Sequence, residues 1–191
     1  MCGRFLICTD DEYREISDIV SEVEENLSFK PGEIFPTNTA PVIVKDRLTF
    51  LKWGFYTYDN KLIINARSET IETKPMFRKS FWEKRCLIPA NSYFEWKKDK
   101  DKKIKYEISV PQRKLFFMAG LYNTFLDKNN NSFTGFVIIT TSADESISHI
   151  HDRMPAIIEP GLEKLWLSNK SDDSSKLKDM LKPYPRMICN K

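Results

Sequence analysis

Apolar residues fall at Tyr13, Ile16, Ile19, Val20, Val23 and Leu27, a spacing that lines one side of a helix over residues 10–27. Asp10 or Asp11 supplies its cap. Pro31-Gly32 and the stretch from Pro36 to Pro41 end that period. Residues 42–44 and 48–53 then read as strands joined by a hairpin at Lys45-Asp46-Arg47, and residues 62–67 as another strand. Pro75 starts a short helix over residues 75–85. Residues 86–96 read as one strand, and residues 104–110 alternate apolar and polar as a second. Between them, residues 97–103 form a loop with five lysines, which suit a solvated hairpin tip better than a phosphate site. Residues 115–122 and 133–141 are strands around a turn at residues 127–131, and short helices are expected at residues 143–150, 162–167 and 174–181.

Strands outnumber helices, and the long crossover helices that a parallel sheet requires are mostly missing. The expected fold is α+β: a mainly antiparallel, barrel-like sheet with peripheral helices. At 191 residues one core is sustainable, so residues 1–191 are expected to form one domain. The 41% hydrophobic and 30% charged fractions exclude disorder along the whole chain. No window approaches the roughly 20 apolar residues of a membrane helix, and no secretory apolar segment precedes Asp10-Asp11-Glu12, so a cytoplasmic protein is expected.

Charge and cysteine usage narrow the chemistry. Thirty basic against 27 acidic residues leave a net charge of +3, too small to announce nucleic-acid binding alone. Aromatic residues at 13% beside plentiful lysine and arginine would nevertheless suit a groove that stacks bases and tracks phosphates. Cysteines at positions 2, 8, 86 and 189 show no C-x-x-C pair and read as reduced thiols. The six glycines assemble neither a P-loop nor a dinucleotide fingerprint, and no cofactor is expected. His149, His151 and Asp152 offer part of a metal site, but a third convincing ligand is missing, and no metal is expected.

Cys2 is the most informative residue. Removal of the initiator methionine would leave it with a free α-amine beside its thiol. Such a 1,2-aminothiol condenses with an aldehyde: the amine forms a Schiff base, and the tethered sulfur closes a thiazolidine ring. Effective molarities for well-oriented ring closures reach ~10⁵ M or more. The same group also resembles an amino-terminal nucleophile acting on amides. Strand alternation places Asn65 and Arg67 on one face and Ile64 and Ala66 on the other. Glu95 lies between Phe94 and Trp96, and apolar walls around its carboxyl would raise its pKa into a range suited to proton transfer near neutrality.

Cys2-Gly3-Arg4-Phe5, Trp53-Gly54, the block Ile64-Asn65-Ala66-Arg67-Ser68-Glu69-Thr70, Arg85-Cys86-Leu87-Ile88-Pro89-Ala90, Tyr93-Phe94-Glu95-Trp96 and Ile150-His151-Asp152-Arg153-Met154-Pro155 follow one another in order. Together they resemble the SOS response-associated peptidase (SRAP) family, whose members are also described as abasic-site processing proteins. The resemblance runs from Cys2 to about residue 160. It implies that Cys2, freed of Met1, traps the ring-opened aldehyde of an abasic site in single-stranded DNA as a thiazolidine crosslink, with crosslink reversal and strand incision as associated activities. It implies that Asn65 orients the sugar, Glu95 carries protons and His151 assists ring opening. By the same matching Arg4, Arg67 and Arg153 grip phosphates, and Asn38 lines the DNA channel. The implied partner is abasic single-stranded DNA, bound by a monomer.

The chain departs from the resemblance after Trp53-Gly54. Many relatives carry a Pro- and Trp-bearing wedge loop there, and this chain has a shorter Phe55-Tyr56-Thr57-Tyr58-Asp59-Asn60, which would leave base stacking to Tyr56 or Tyr58. The tail also lacks the longer extension of many members. Two other classes compete: a thiol peptidase or autopeptidase using Cys2 with His151 and Asn65 or Glu95, and a non-catalytic module that only binds single strands.

Overall fold

The computed structural model describes residues 2–7, 16, 20, 22–23, 31–126, 132–168 and 174–191. Two sheets carry most of it. The strands in chain order are β1 (Phe5–Ile7), β2 (Glu22–Val23), β3 (Gly32–Ile34), β4 (Thr39–Val44), β5 (Arg47–Trp53), β6 (Phe55–Tyr56), β7 (Leu62–Ile63), β8 (Asn65–Arg67), β9 (Arg85–Ala90), β10 (Ser92–Asp99), β11 (Lys102–Ser109), β12 (Phe116–Leu126), β13 (Ser132–Ser142), β14 (Arg153–Pro155), β15 (Ile157–Ile158) and β16 (Ile188–Asn190). The helices are α1 (Pro75–Glu83), α2 (Glu163–Leu167) and α3 (Ser174–Asp179).

The first sheet runs β16-β11-β10-β1-β3, all antiparallel. In the second, β13, β12, β9, β4 and β5 pair in succession, and β13 pairs back onto β5, closing a ring of five strands. That closing contact is parallel, whereas the other pairings in the ring are antiparallel. Closure brings backbones together: a Cβ on Gly135 would stand 2.4 Å from the Gly54 carbonyl oxygen. Gly54 itself sits at φ +132° and donates its N–H to the Phe136 carbonyl at 2.8 Å. The α+β, barrel-like expectation holds.

Both faces of the ring strands are covered. One face, with Val42, Trp53, Ile88, Met118 and Phe136, shares a core with Cys2, Phe5, Tyr93 and Ile108 of the first sheet. The alternate residues Ile43, Leu87, Val137 and Ile139 pack with Phe77 and Phe81 of α1, Trp166 of α2 and Leu177 of α3. Two-sided burial explains the nearly unbroken apolar runs in these strands. Arg85 is 2% exposed and fastens this second layer: its guanidinium donates to the carbonyls of Phe81 and Trp82 at the end of α1 and of Trp166 and Ser168 at the end of α2. Helix ends carry unpaired carbonyls and partial negative charge, and one buried cation satisfies both ends.

Five expectations are corrected. Residues 22–23 form a strand parallel to β5 instead of continuing a helix. Within the remainder of residues 10–27, only the Val20 N–H to Ile16 carbonyl bond of 3.1 Å is described. Residues 86–96 are two strands in different sheets, divided at Asn91, whose side chain bonds the Lys114 carbonyl. Residues 62–67 likewise divide at Ile64, whose carbonyl accepts the Trp53 indole N–H at 3.0 Å. Residues 143–150 are turns anchored by Ile147 and Ile150, not a helix. The lysine loop shrinks to the turn at Lys100-Asp101, Lys100 having φ +53°, because β10 and β11 stay in register out to Asp99 and Lys102. The turn expected at residues 127–131 lies outside the described residues.

Candidate active site

The site lies where the two sheets meet. The first contributes Cys2, just before β1, and Glu95 on β10. The second contributes Asn65 and Arg67 on β8, Arg153 on β14, and His151 in the turn that leads into β14. The final residues of strand β13 join these elements: Ile138 and Thr140 pair with Asn65 and Arg67 on one side, while Thr140 and Ser142 pair with Pro155 and Arg153 on the other.

Cys2 is fully buried, and among the described residues its thiol makes a long contact to the Arg4 carbonyl at 3.8 Å. Burial, followed by the charge of Glu95, pushes its pKa far above that of a free thiol. Glu95 is 3% exposed. Burial holds its carboxyl above the ordinary carboxylate range, against the opposing pull of the amino-terminal charge and of His151. The apolar surroundings that the sequence predicts for Glu95 are therefore present.

His151 Nε2 stands 4.0 Å from Glu95 Oε2. Its Nδ1 accepts the Arg153 backbone N–H at 3.0 Å and also lies 2.9 Å from Asp152 Oδ1. The backbone donor is fixed, whereas the Asp152 side chain is 86% exposed, so the backbone bond selects the tautomer with the proton on Nε2. That proton faces Glu95.

Asn65 is oriented by β8 pairing, with Ala66 buried beneath and Arg67 exposed. Both Nδ2 and Oδ1 of Asn65 are buried, and neither has a hydrogen-bond partner among the described residues. A buried, unsatisfied amide costs stability, so such a group points to a ligand that completes it.

The arginines differ in their freedom. Arg67 is exposed. Arg153 is clamped by both oxygens of Glu69, at 2.6 and 2.9 Å, and by the Thr140 carbonyl at 2.7 Å. Arg4 lies between the rings of Phe35 and Trp96, 4.3 and 4.9 Å from their centroids, and donates to Glu33 at 2.9 Å. Glu33 also holds Lys105 at 2.5 Å. Sequence reading missed Glu33 and Lys105, because only the β1–β3 and β10–β11 pairings bring them to Arg4. Asn38 is exposed, and its Oδ1 caps the turn after β3 by accepting the Phe35 N–H at 3.0 Å. Thr37 within that turn has φ +73°, strained for a β-branched residue, and is held there by its N–H bond to the Trp53 carbonyl. Of the two candidate stacking residues, Tyr58 is fully exposed at the tip of the β6–β7 hairpin, whereas Tyr56 packs edge-on against Phe133.

Among the described residues no three histidine, cysteine or acidic side chains are grouped as metal ligands. No helix there is long and apolar enough to cross a membrane.

Comparison with known proteins matches this chain to a family. The model of the SOS response associated peptidase (SRAP) family matches residues 1–190. Abasic site processing protein YoqW of Bacillus subtilis is 38% identical over 201 residues, covering 96% of this chain and 88% of that protein. Abasic site processing protein YedK of Escherichia coli is 31% identical over 179 residues, covering 87% and 79%. A crystal structure of a protein from Bacteroides thetaiotaomicron superposes with a TM-score of 0.84 at 26% identity, covering 98% of this chain and 90% of that one. Matched along its length in both sequence and fold, this chain belongs to the SOS response associated peptidase family.

Proposed function

We propose that this protein processes abasic sites in single-stranded DNA, using the α-amine and thiol of Cys2, freed of Met1, to capture the ring-opened sugar as a thiazolidine. The observation that carries this reading is the pairing of a buried Glu95, with its raised pKa, and the Nε2 of His151 beside a buried Cys2. The names of the relatives support the same substrate: YoqW and YedK are abasic site processing proteins.

An abasic sugar is mostly a closed hemiacetal, which an acid and a base must open before an amine reaches C1′. His151 offers a proton on Nε2, and Glu95, its pKa raised by burial, takes or returns protons; an α-amine, with an unperturbed pKa of ~7.7–8.0, is already partly neutral near neutral pH. The neutral amine adds to the aldehyde and water leaves, giving the Schiff base. The thiol then gives its proton to Glu95, the sulfur bonds to the carbon of the protonated Schiff base, and the C=N π pair returns to nitrogen, which keeps its proton as the neutral ring N–H. Asn65 supplies donor and acceptor to the sugar, and Arg4, Arg67 and Arg153 approach phosphates. Strand incision follows if the Schiff base eliminates the 3′ phosphate before the ring closes. Reversal runs the same steps backward.

The peptidase reading fits less well. A thiol attacking an amide needs an accessible thiolate, and burial works against ionisation of Cys2. Capture of an aldehyde needs the amine first and the sulfur second, an order that tolerates a reluctant thiol.

Tag-free protein shown by intact mass to lack Met1, incubated with an abasic single-stranded oligonucleotide, should give a denaturant-resistant adduct that Cys2→Ala abolishes. Salt-sensitive binding without an adduct would leave only a single-strand-binding module, and an undiminished adduct in Cys2→Ala would exclude the aminothiol.

A further inference from the structure

The thiazolidine step leaves a gap in the hydrogen bonding around sulfur. As a thiol, Cys2 points its proton at the Arg4 carbonyl, which also accepts the Phe94 N–H at 2.9 Å. When the proton leaves, the sulfur becomes an anion facing a carbonyl oxygen, and a thiolate in a fully buried setting needs a donor.

One unused donor sits in the same core. Tyr93 is fully buried, and its hydroxyl has no hydrogen-bond partner among the described residues. It lies on β10 opposite Phe5 of β1, two residues from Glu95 and on the same strand face, and it packs in the core cluster that contains Cys2. Buried tyrosines ordinarily place their hydroxyl on a partner, because the apolar ring alone would pack as well as phenylalanine. Asn65, another group left unpartnered, lies across the seam on β8 and is given to the sugar in the reading above.

We propose that the Tyr93 hydroxyl is the donor kept for the Cys2 sulfur, hydrogen-bonding the thiolate as it forms and closes on the imine carbon. The inference rests on the proposed abasic-site reaction. Tyr93 keeps its own proton throughout: the thiol proton goes to Glu95, the C–S bond forms, and the π pair of the protonated Schiff base returns to nitrogen, leaving a neutral ring N–H. Burial, and then the charges of Cys2 and Glu95, hold the Tyr93 pKa well above that of a free phenol, so the group remains a donor under all working conditions.

The test is Tyr93→Phe on intact-mass-verified protein lacking Met1, with the two bond-forming steps read separately. Borohydride trapping measures Schiff base formation, which involves only the amine. Accumulation of the unreduced, denaturant-resistant adduct measures ring closure. The expected result is ring closure slowed about 10- to 100-fold, the worth of one hydrogen bond to a charged group. Schiff base trapping should be unchanged and the melting temperature equal or higher, since the substitution deletes an unsatisfied buried hydroxyl. Equal ring-closure rates in the two proteins would overturn the proposal. So would parallel losses of both steps with a lowered melting temperature, which would mean that Tyr93 acts through packing alone. If wild type forms neither product, the abasic-site reading itself fails, an outcome distinct from either of these.

Discussion

His151 directs Nε2 at the Glu95 carboxylate, 4.0 Å away, while its Nδ1 is fixed by the Arg153 N–H at 3.0 Å. Residues 56 positions apart in the chain thus meet face to face, with Glu95 supplied by the open sheet and His151 by the turn entering β14.

Glu95→Gln should lower the rate of adduct formation by about 10²- to 10⁴-fold, the usual range for a general acid–base group. The wild-type rate should fall on the acid side with a midpoint above the ordinary carboxylate range, and this limb should vanish in the variant. The stability effect has the opposite sign. Because folding raises the Glu95 pKa, the unfolded chain releases this proton first as pH rises, and burial of the carboxylate costs stability that grows until the folded pKa is passed. Glu95→Gln should therefore raise the melting temperature at pH 7–8 and have little effect near pH 4. Calorimetry at the two pH values checks this, and a uniform shift would contradict it.

Glu33 occupies the guanidinium that a DNA phosphate would need, and it shares itself with Lys105. Glu33→Gln should free both cations and tighten non-covalent binding of single-stranded oligonucleotide about two- to fivefold, in line with the small energies of solvent-exposed ion pairs. The dependence on log salt should steepen as well. Fluorescence anisotropy at several salt concentrations reads both. Weaker binding would mean instead that Glu33 serves to orient Arg4.

Tyr58 projects fully into solvent from a hairpin tied by the Thr57 hydroxyl to Asp59 and by the Thr57–Lys61 backbone bond. If it stacks on a base, Tyr58→Ala should cost about 1–3 kcal/mol of oligonucleotide affinity and Tyr58→Phe almost nothing. Direct binding titrations with each variant separate the stacking face from the hydroxyl.

Arg85 is far from this chemistry and should matter only to stability. Arg85→Met leaves the carbonyls at the ends of α1 and α2 without their donor, which should cost about 3 kcal/mol or more in urea unfolding. The adduct formed per folded molecule should stay at the wild-type level. Arg85→Lys should recover only part of the loss, because an ammonium cannot span carbonyls from two helices as a planar fork does.

Local patterns were enough to identify several elements. The hairpin at residues 45–46, the proline-started α1 and the β10–β11 ribbon follow from turn residues and apolar period. Alternation also put Asn65 opposite Ala66, and neighbouring aromatics indicated a protected Glu95. The same patterns misled where one run of apolar residues serves two partners. Residues 86–96 are continuous in composition, yet the chain leaves one sheet and joins another at Asn91, a choice made by distant strands. Residues 22–23 lie in a helix-spaced segment but pair with β5, since a partner strand outweighs local spacing.

The order of short motifs by itself fixed the family and nominated Cys2, Asn65, Glu95 and His151, because residue identity and spacing along the chain are what such motifs record. Only the tertiary structure decided that the Cys2 thiol is enclosed, that Arg4 and Arg153 already hold carboxylates, and that Tyr93 has a hydroxyl to spare. Burial, pKa and hydrogen-bond satisfaction depend on what long-range strand pairing brings within a few ångströms, and no stretch of sequence contains that information alone.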